Sequence, residues 1–274
     1  MKCERIYLYE GNEDVYLDTY IRDTSSEYPT NKRPAILIFP GGGYGFCSDR
    51  EAEPIANQYL AAGLSCFVLR YSVGKAASSR MPQFSQPLLD ASLAMSIIRK
   101  NAEDWNVDSE KIAIIGFSAG GHLAGSLATM WNDESICDEL QIPFGSNKPN
   151  AAILAYPVLT FGERTHGGTR DNLLGDYSDD ETLVEKYSLE KNVTKDTPPT
   201  FIWHTAADGS VPVVNSLSFA TSLSANGIPF ELHVFPFGGH GMSTGTKEVC
   251  HEENKYAARW VDLSVKWLKN TFDM

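Results

Sequence analysis

The sequence predicts an α/β protein in which a mostly parallel, eight-stranded sheet carries helices on both faces. Short apolar runs rich in β-branched and aromatic residues alternate with segments of helical periodicity, the pattern of a parallel sheet covered on both sides. Two earlier stretches, residues 5–10 and 15–21, alternate in hydrophobicity and flank the turn residues 11–14. They predict an antiparallel hairpin at the edge of the sheet.

The remaining elements follow in chain order. Six parallel strands are predicted at residues 35–39, 64–71, 111–116, 151–156, 200–205 and 230–235. Helices are predicted at about residues 50–62, 82–100, 119–131, 213–226 and 253–272.

One segment breaks this alternation. Residues 160–199 are polar and show only short helical pieces around 170–175 and 180–187, so we expect a short, cap-like insertion over the strand ends and the active site. No Pro-, Gly- or Ser-rich linker divides the chain, so residues 1–274 are expected to form a single domain.

Composition disfavours several classes of partner. The 35 acidic and 23 Lys and Arg residues give a formal net charge of −12, which repels nucleic acid and anionic membranes. No secretory signal and no apolar run of about 20 residues is visible, so we expect a cytoplasmic protein without a membrane anchor. The five cysteines are scattered and HExxH is absent, so neither a metal nor a cofactor is expected. The oligomeric state stays open, with a homodimer retained as an option.

Ser118 is the candidate nucleophile because it lies in a G-x-S-x-G pattern at residues 116–120. An apolar strand leads into the pattern and a helix rich in small residues follows it, which is the context of a nucleophile elbow. Small residues on both sides allow the backbone to turn sharply and expose the hydroxyl. The alternative is a Gly-rich turn with an inert serine.

A serine hydroxyl needs a base, and the base needs an acid to orient it. His240 lies in a Gly-rich loop between the last strand and the final helix, where an imidazole can reach the site. Asp208 follows the strand at residues 200–205, whereas its rival Asp176 has no strand before it. The chain order Ser118, Asp208, His240 is the order of α/β-hydrolase triads.

The other five histidines are interpreted mainly as structural. His122, His204 and His233 lie within predicted helices or strands, so we expect them to be packing residues. His166 and His251 lie in polar segments and are expected to be solvated. For His166, which belongs to the insertion, contact with the substrate stays open.

The glycines after the first parallel strand are candidates for an oxyanion hole, which needs preorganised N–H donors. We expect the N–H of Gly42 or Gly43 to act together with that of Ala119, the residue after the nucleophile. A phosphate-binding loop is disfavoured because the Lys-Ser/Thr ending is missing; a flexible turn is the remaining alternative. Five aromatic residues near the site could belong to the pocket or, for most of them, to the core: Tyr44, Phe46, Tyr71, Trp203 and Phe237.

Together these motifs resemble the bacterial esterases of the α/β-hydrolase superfamily, and within it the acetyl-xylan-esterase-like or sugar-ester hydrolases. The resemblance covers about residues 30–272. Pro40 stands where many relatives in the hormone-sensitive-lipase-like branch carry His, which disfavours that branch and leaves the triad intact. The matching motifs are Pro40-Gly41-Gly42-Gly43-Tyr44, Leu69-Arg70-Tyr71, residues 116–124, Trp203-His204-Thr205-Ala206, Asp208 with Val211-Pro212, and Gly239-His240-Gly241.

The resemblance implies an acetylesterase-like serine hydrolase of carboxylic esters that works through an acyl-enzyme on Ser118. By that resemblance His240 is the general base and acid, Asp208 orients it, and the substrate is a short-chain ester such as an acetyl group on a sugar or xylo-oligosaccharide. The alternatives are a carboxylesterase for non-sugar esters, an aryl formamidase or a small peptidase. A catalytically silent binding protein on the same fold is a further alternative, because a fold does not by itself specify a function.

Overall fold

The computed structural model describes residues 1–274 and contains one eight-stranded sheet. The spatial order is β1-β2-β4-β3-β5-β6-β7-β8; β2 is antiparallel to β1 and β4, and all other neighbouring pairs are parallel. The predicted mostly parallel α/β architecture is therefore confirmed. The strands are β1 Lys2–Tyr9, β2 Asn12–Ile21, β3 Arg33–Phe39, β4 Ser65–Arg70, β5 Val107–Phe117, β6 Ala151–Ala155, β7 Thr200–Thr205 and β8 Phe230–Phe235.

Eight α-helices cover the two faces of the sheet. They are α1 Glu53–Ala61, α2 Gln86–Lys100, α3 Ala119–Met130, α4 Glu134–Leu140, α5 Gly167–Leu174, α6 Glu181–Lys186, α7 Val214–Ala225 and α8 Trp260–Thr271. Helices α1 and α8 bury apolar side chains such as Ile55 and Trp267 against one face, and α2–α7 share the core on the other face. None of the helices combines the length and the apolar character that a membrane span requires.

The parallel strands end at a common edge of the sheet, and the loops that follow β3, β5 and β7 lie at this edge. Strands β3, β6 and β7 are buried along most or all of their length, as expected for strands covered on both faces. The register pairs Phe39 with Gly116, Phe117 with Ala155, and Ala155 with Trp203. Loops that follow β3, β5 and β7 therefore meet at the carboxyl ends of the strands, where open α/β sheets bind their ligands.

Three predicted helix starts were too early. The predicted helix at 50–62 is a short 3₁₀ turn, Asp49–Glu51, followed by α1, and α2 begins at Gln86 rather than at residue 82. A proline lies in the first turn of each of these two helices, where its missing N–H costs no hydrogen bond. The last predicted helix starts at Trp260 instead of residue 253, because the preceding residues form a loop and a 3₁₀ turn.

Two further differences concern short or polar segments. Helix α4 was not predicted, because its seven residues are too few to show a clear period. Strand β5 begins at Val107 rather than at residue 111, since its first residues are polar and the pairing with β3 shifts in register there. Within residues 160–199, α5 and α6 are packed onto the core of the α3 face through Leu173, Leu174 and Leu183.

Candidate active site

Ser118 occupies a strained turn between β5 and α3, with φ 55° and ψ −116°. Left-handed backbone is costly for a residue with a side chain, and it occurs where surrounding structure enforces it. The neighbouring glycines allow the tight packing of this turn: a Cβ on Gly116 would lie 1.9 Å from the Gly120 carbonyl oxygen, and one on Gly120 would lie 2.1 Å from the Phe39 oxygen. Neither of these glycines has a positive φ, so they are needed for space rather than for their own conformation.

The structure brings Ser118, His240 and Asp208 into one hydrogen-bonded chain. His240 Nε2 lies 2.7 Å from Ser118 Oγ, and His240 Nδ1 lies 2.7 Å from Asp208 Oδ2. An ionised carboxylate can only accept, so Nδ1–H donates to Asp208 and Nε2 accepts from the Ser118 hydroxyl. This is the tautomer in which an imidazole can take the proton of a serine.

Asp208 is held as a carboxylate by its surroundings. Burial by itself opposes ionisation, but hydrogen bonds from His204 and His240 outweigh it and hold the pKa of Asp208 well below its usual range. The second oxygen, Oδ1, accepts from the backbone N–H of Ser210 and of Val211, both at 2.9 Å. The orientation of the carboxylate is thus fixed from both sides.

His204 is a second imidazole on the same carboxylate. It is fully buried, and its Nε2 lies 3.0 Å from the Val211 carbonyl oxygen and 3.3 Å from Asp208 Oδ2. Because both neighbours are acceptors, Nε2 carries the proton, and Nδ1 accepts from Ser216 Oγ at 2.8 Å. His204 is a buried residue of β7, as predicted. Its contact with Asp208 was not predicted.

The Gly-rich loop after β3 presents free backbone donors to the same site. The N–H groups of Gly42 and Gly43 donate to no other group of the protein, and Ala119 is the first residue of α3, so its N–H has no acceptor within the helix. Gly42 has φ 129° and Gly43 has φ 63°. A Cβ at residue 42 would lie 2.0 Å from the Phe46 carbonyl oxygen, so only glycine fits there.

A cavity of about 440 Å³ opens above Ser118 Oγ. Phe46 is its only large apolar side chain and is 62% exposed. The lining residues come from the loop after β3, the elbow, the insertion and the loops that carry Asp208 and His240: Gly42, Gly43, Gly45, Phe46, Ser48, Arg50, Glu51, Ser118, His166, Gly168, Asn172, Ser210, His240 and Gly241. A site with this lining suits a small polar ligand.

The insertion contributes His166, Gly168 and Asn172 to this cavity. His166 is the N-cap of α5: its Nδ1 accepts from the Thr169 N–H at 3.2 Å and from the Thr169 hydroxyl at 2.9 Å. Burial and the neighbouring His240 lower the pKa of His166, so the ring is neutral and its proton sits on Nε2. Asn172 Nδ2 donates to the Gly43 carbonyl at 2.8 Å and ties the insertion to the Gly-rich loop.

Sequence reasoning missed Glu51 and its partner Tyr156. The Glu51 carboxylate is 2% exposed and accepts from the Gly41 N–H at 2.8 Å and from Tyr156 Oη at 2.6 Å. Burial raises the pKa of Glu51, and these two hydrogen bonds limit the rise. Nothing in a charged stretch at a helix start distinguishes a buried glutamate from exposed ones, so no sequence signal was available.

The other candidates from the sequence lie apart from the reacting atoms. His122 is buried, accepts from Tyr44 Oη at Nδ1 and donates from Nε2 to the Tyr187 carbonyl, both at 3.0 Å. Asp176 is exposed in a 3₁₀ turn and does not line the cavity. Of the five aromatic candidates, only Phe46 lines the cavity; three are buried and Phe237 is exposed elsewhere.

Comparison with known proteins places the chain in a family and finds several relatives. The family model BD-FAE matches residues 17–223, more than half of the chain. The chain is 43% identical over 217 residues to "Endo-1,4-beta-xylanase B" of Butyrivibrio fibrisolvens, a match that covers 79% of this chain and 34% of that protein. It is 32% identical over 226 residues to "Acetylxylan esterase" of Xylanibacter ruminicola, covering 80% of this chain and 43% of that protein. The chain therefore spans less than half the length of these two curated relatives.

Among solved structures, the acetyl ester-xyloside bifunctional hydrolase from Caldicellulosiruptor lactoaceticus is 36% identical and superposes with a TM-score of 0.82. This match covers 97% of the present chain and 96% of that chain. The sheet topology and the sequence matches thus lead to one classification: the chain belongs to the BD-FAE family and has the α/β-hydrolase fold.

Proposed function

We propose that this protein is a serine esterase that removes short acyl groups, acetyl above all, from sugars or xylo-oligosaccharides. Ser118 Oγ attacks the ester carbonyl carbon while His240 Nε2 takes its proton. The C–O bond to the sugar then breaks, and His240 returns the proton to the departing hydroxyl. Water attacks the acyl-enzyme with His240 again as base, which releases acetate and restores Ser118.

The observation that carries this proposal is the pair of 2.7 Å hydrogen bonds that link Ser118, His240 and Asp208 beside unpartnered backbone amides. The developing oxyanion would be held by the N–H of Gly42 or Gly43 together with that of Ala119. Each such donor contributes a factor of about 10²–10³ to the rate in serine hydrolases.

The polar lining of the cavity supports a sugar ester. Sugar hydroxyls can donate to the carbonyl oxygens of the lining and accept from its N–H groups, whereas a long acyl chain would need apolar walls. His166 would donate from Nε2 to the bound substrate. The relatives include a xylanase, an acetylxylan esterase and an acetyl ester-xyloside hydrolase, and their names support the same substrate class.

The test compares esters that differ in one part at a time. Purified protein is given a peracetylated xylo-oligosaccharide, chromogenic acetyl, butyryl and octanoyl esters, and N-formylkynurenine, with kcat/KM measured for each. The proposal expects acetate release from the sugar and a steady fall in kcat/KM as the acyl chain lengthens. Efficient cleavage of octanoyl esters without acetate release would favour a non-sugar carboxylesterase. A preference for N-formylkynurenine would favour an aryl formamidase.

A further inference from the structure

A second cleft opens directly beside the catalytic cavity. It has a volume of about 420 Å³ and lies between the start of β2 and the loop after β3. Gly45 and Phe46 line both spaces, so the two are separated only by this short piece of chain. We call it the hairpin cleft; its lining consists of Asn12, Glu13, Asp14, Val15, Tyr16, Gly45, Phe46, Cys47, Arg70, Tyr71, Ser72, Val73 and Ala76.

The strand register places the hairpin cleft at the catalytic edge of the sheet. Strand β2 runs antiparallel to β4, and Tyr16 near its start pairs with Arg70 at the end of β4. The turn of the hairpin therefore lies at the edge where the parallel strands end and the catalytic loops begin. The cleft and the cavity therefore lie at the same edge of the sheet and share Gly45 and Phe46 in their linings.

The loop that separates the two spaces is held in place. The guanidinium of Arg70 donates to the Cys47 carbonyl at 3.1 Å and to Asp49 at 2.7 Å. The Gly45 and Phe46 N–H groups both donate to the Gly42 carbonyl. Phe46 thus lies on an anchored turn, and its exposed side chain lines both the cavity and the cleft.

The lining of the cleft matches the chemistry of a sugar ring. Pyranose rings present C–H groups on their faces and hydroxyls at their edges. The cleft offers apolar surface from Phe46, Tyr16 and Val73, together with the exposed carboxylates of Glu13 and Asp14, which accept hydrogen bonds from hydroxyls. Mixed apolar walls with a few polar groups are the usual make-up of a small-ligand site.

We propose that the hairpin cleft is a subsite for a second sugar residue of an acetylated oligosaccharide whose ester carbonyl lies at Ser118, an inference that rests on the proposed function. Binding in the cleft lowers KM for acetylated oligosaccharides. The KM for acetylated monosaccharides is not lowered, because they have no second sugar residue. One or two hydrogen bonds from the sugar hydroxyls correspond to a gain of about tenfold in kcat/KM.

The test uses acetylated xylotriose and acetylated xylose with three forms of the protein. Ala76 is exposed, lies at the end of a 3₁₀ turn and lines the cleft, so Ala76→Arg places a long cationic side chain beside the two carboxylates. Ser79→Arg is the matched control, because Ser79 is exposed on the same segment and lines neither the cleft nor the cavity. Unacetylated xylotriose is added as an inhibitor in a second series.

In the wild type and in Ser79→Arg, kcat/KM for the trisaccharide ester exceeds that for the xylose ester by about tenfold. In Ala76→Arg this ratio falls towards one through a rise in KM, and inhibition by xylotriose weakens in parallel. Equal kcat/KM for both esters in the wild type, or an unchanged ratio in Ala76→Arg, would overturn the subsite while the esterase proposal stands. Absence of acetate release from both sugar esters, with chromogenic acetate still cleaved, would contradict the sugar-ester function and the subsite together.

Discussion

Tyr156 Oη donates a 2.6 Å hydrogen bond to the buried carboxylate of Glu51. Through it, the Gly-rich loop after β3 is connected to the loop that carries His240. The same oxygen of Tyr156 accepts from the Ser243 N–H at 2.9 Å, in the loop that follows His240. The other carboxylate oxygen of Glu51 accepts from the Gly41 N–H, next to Gly42. These two side chains, together with the hydrogen bond from Arg50 to the Gly241 carbonyl, therefore tie the Gly-rich loop to the loop that carries the imidazole.

Tyr156→Phe should loosen this link. Removing the hydroxyl leaves the buried Glu51 and the Ser243 N–H each short of a partner, at a cost of about 1–3 kcal/mol in the free energy of unfolding. Because the catalytic groups lose their fixed spacing, we expect kcat to fall about tenfold with a smaller change in KM. Steady-state kinetics and urea unfolding measure the two effects.

Tyr59→Phe is the control, since Tyr59 is also fully buried and its hydroxyl pairs with Ser264 Oγ at 2.9 Å, in α8. It should lower stability without lowering kcat. If both variants keep the kcat of the wild type, Tyr156 does not position the site.

Two adjacent glycines should respond differently to alanine. Both have positive φ, so each substitution costs about 1 kcal/mol of backbone strain. A Cβ at residue 42 would meet the Phe46 oxygen at 2.0 Å, whereas one at residue 43 finds its nearest atom, Thr169 Oγ1, at 4.0 Å. We expect Gly42→Ala to displace the loop and lower kcat by about 10² or more, as loss of an oxyanion donor does, and Gly43→Ala to lower it much less. Similar losses in kcat for both would show that the close approach at Gly42 does not matter for the rate.

His166 can be tested with its capping role preserved. Asparagine is among the best N-cap residues, so His166→Asn keeps the start of α5 while removing the imidazole of a cavity-lining residue, whose Nε2–H the shorter amide does not replace at the same position. We expect a rise in KM for acetylated xylose of about fivefold to tenfold, the value of one hydrogen bond, with thermal stability close to that of the wild type. His166→Ala should show the same rise in KM together with a lower melting temperature. An unchanged KM in both variants would mean that His166 does not touch the substrate.

The buried His122 should make stability depend on pH. Burial lowers its pKa from 6.5 to about 4, against the weaker opposing effect of the hydrogen bond to Tyr187. The unfolded chain therefore binds a proton at a higher pH than the folded protein, and stability falls as the pH drops from 6.5 towards 4, by about 3 kcal/mol from this group. His122→Gln removes this dependence, so the difference in unfolding free energy between wild type and variant should shrink over that interval. Urea unfolding at pH 7 and at pH 4.5 measures it; a constant difference would contradict the assignment.

The sheet could be predicted because buried strands have a recognisable hydrophobic pattern in the sequence. Strands such as β6 and β7 are apolar throughout, and β2 alternates buried and half-buried residues along its second half. Helix starts were less accurate, since the segment before α8 is polar without any capping signal that separates loop from helix. The motifs and their chain order placed Ser118, Asp208 and His240 at one edge of the sheet, where the structure brings them within hydrogen-bond distance.

Contacts between distant segments could not be predicted in the same way. Glu51 and Tyr156 are 105 positions apart in the sequence, and neither lies in a motif that would indicate a buried contact between them. His166 reaches the cavity because α5 begins three residues before the predicted helical piece, with the imidazole as its cap. The hairpin cleft depends on the register of β2 with β4, which the alternating pattern leaves open.

The most direct test of the central claim is the hydrolysis of a chromogenic acetate by the wild type and by Ser118→Ala, measured side by side. Folding of the variant is checked by its melting temperature, because the strained φ at residue 118 is kept by the packing around it. The account predicts that kcat falls by more than about a thousandfold, as for other serine hydrolases without their nucleophile. A variant with kcat within tenfold of the wild type would show that Ser118 is not the nucleophile and would contradict the mechanism.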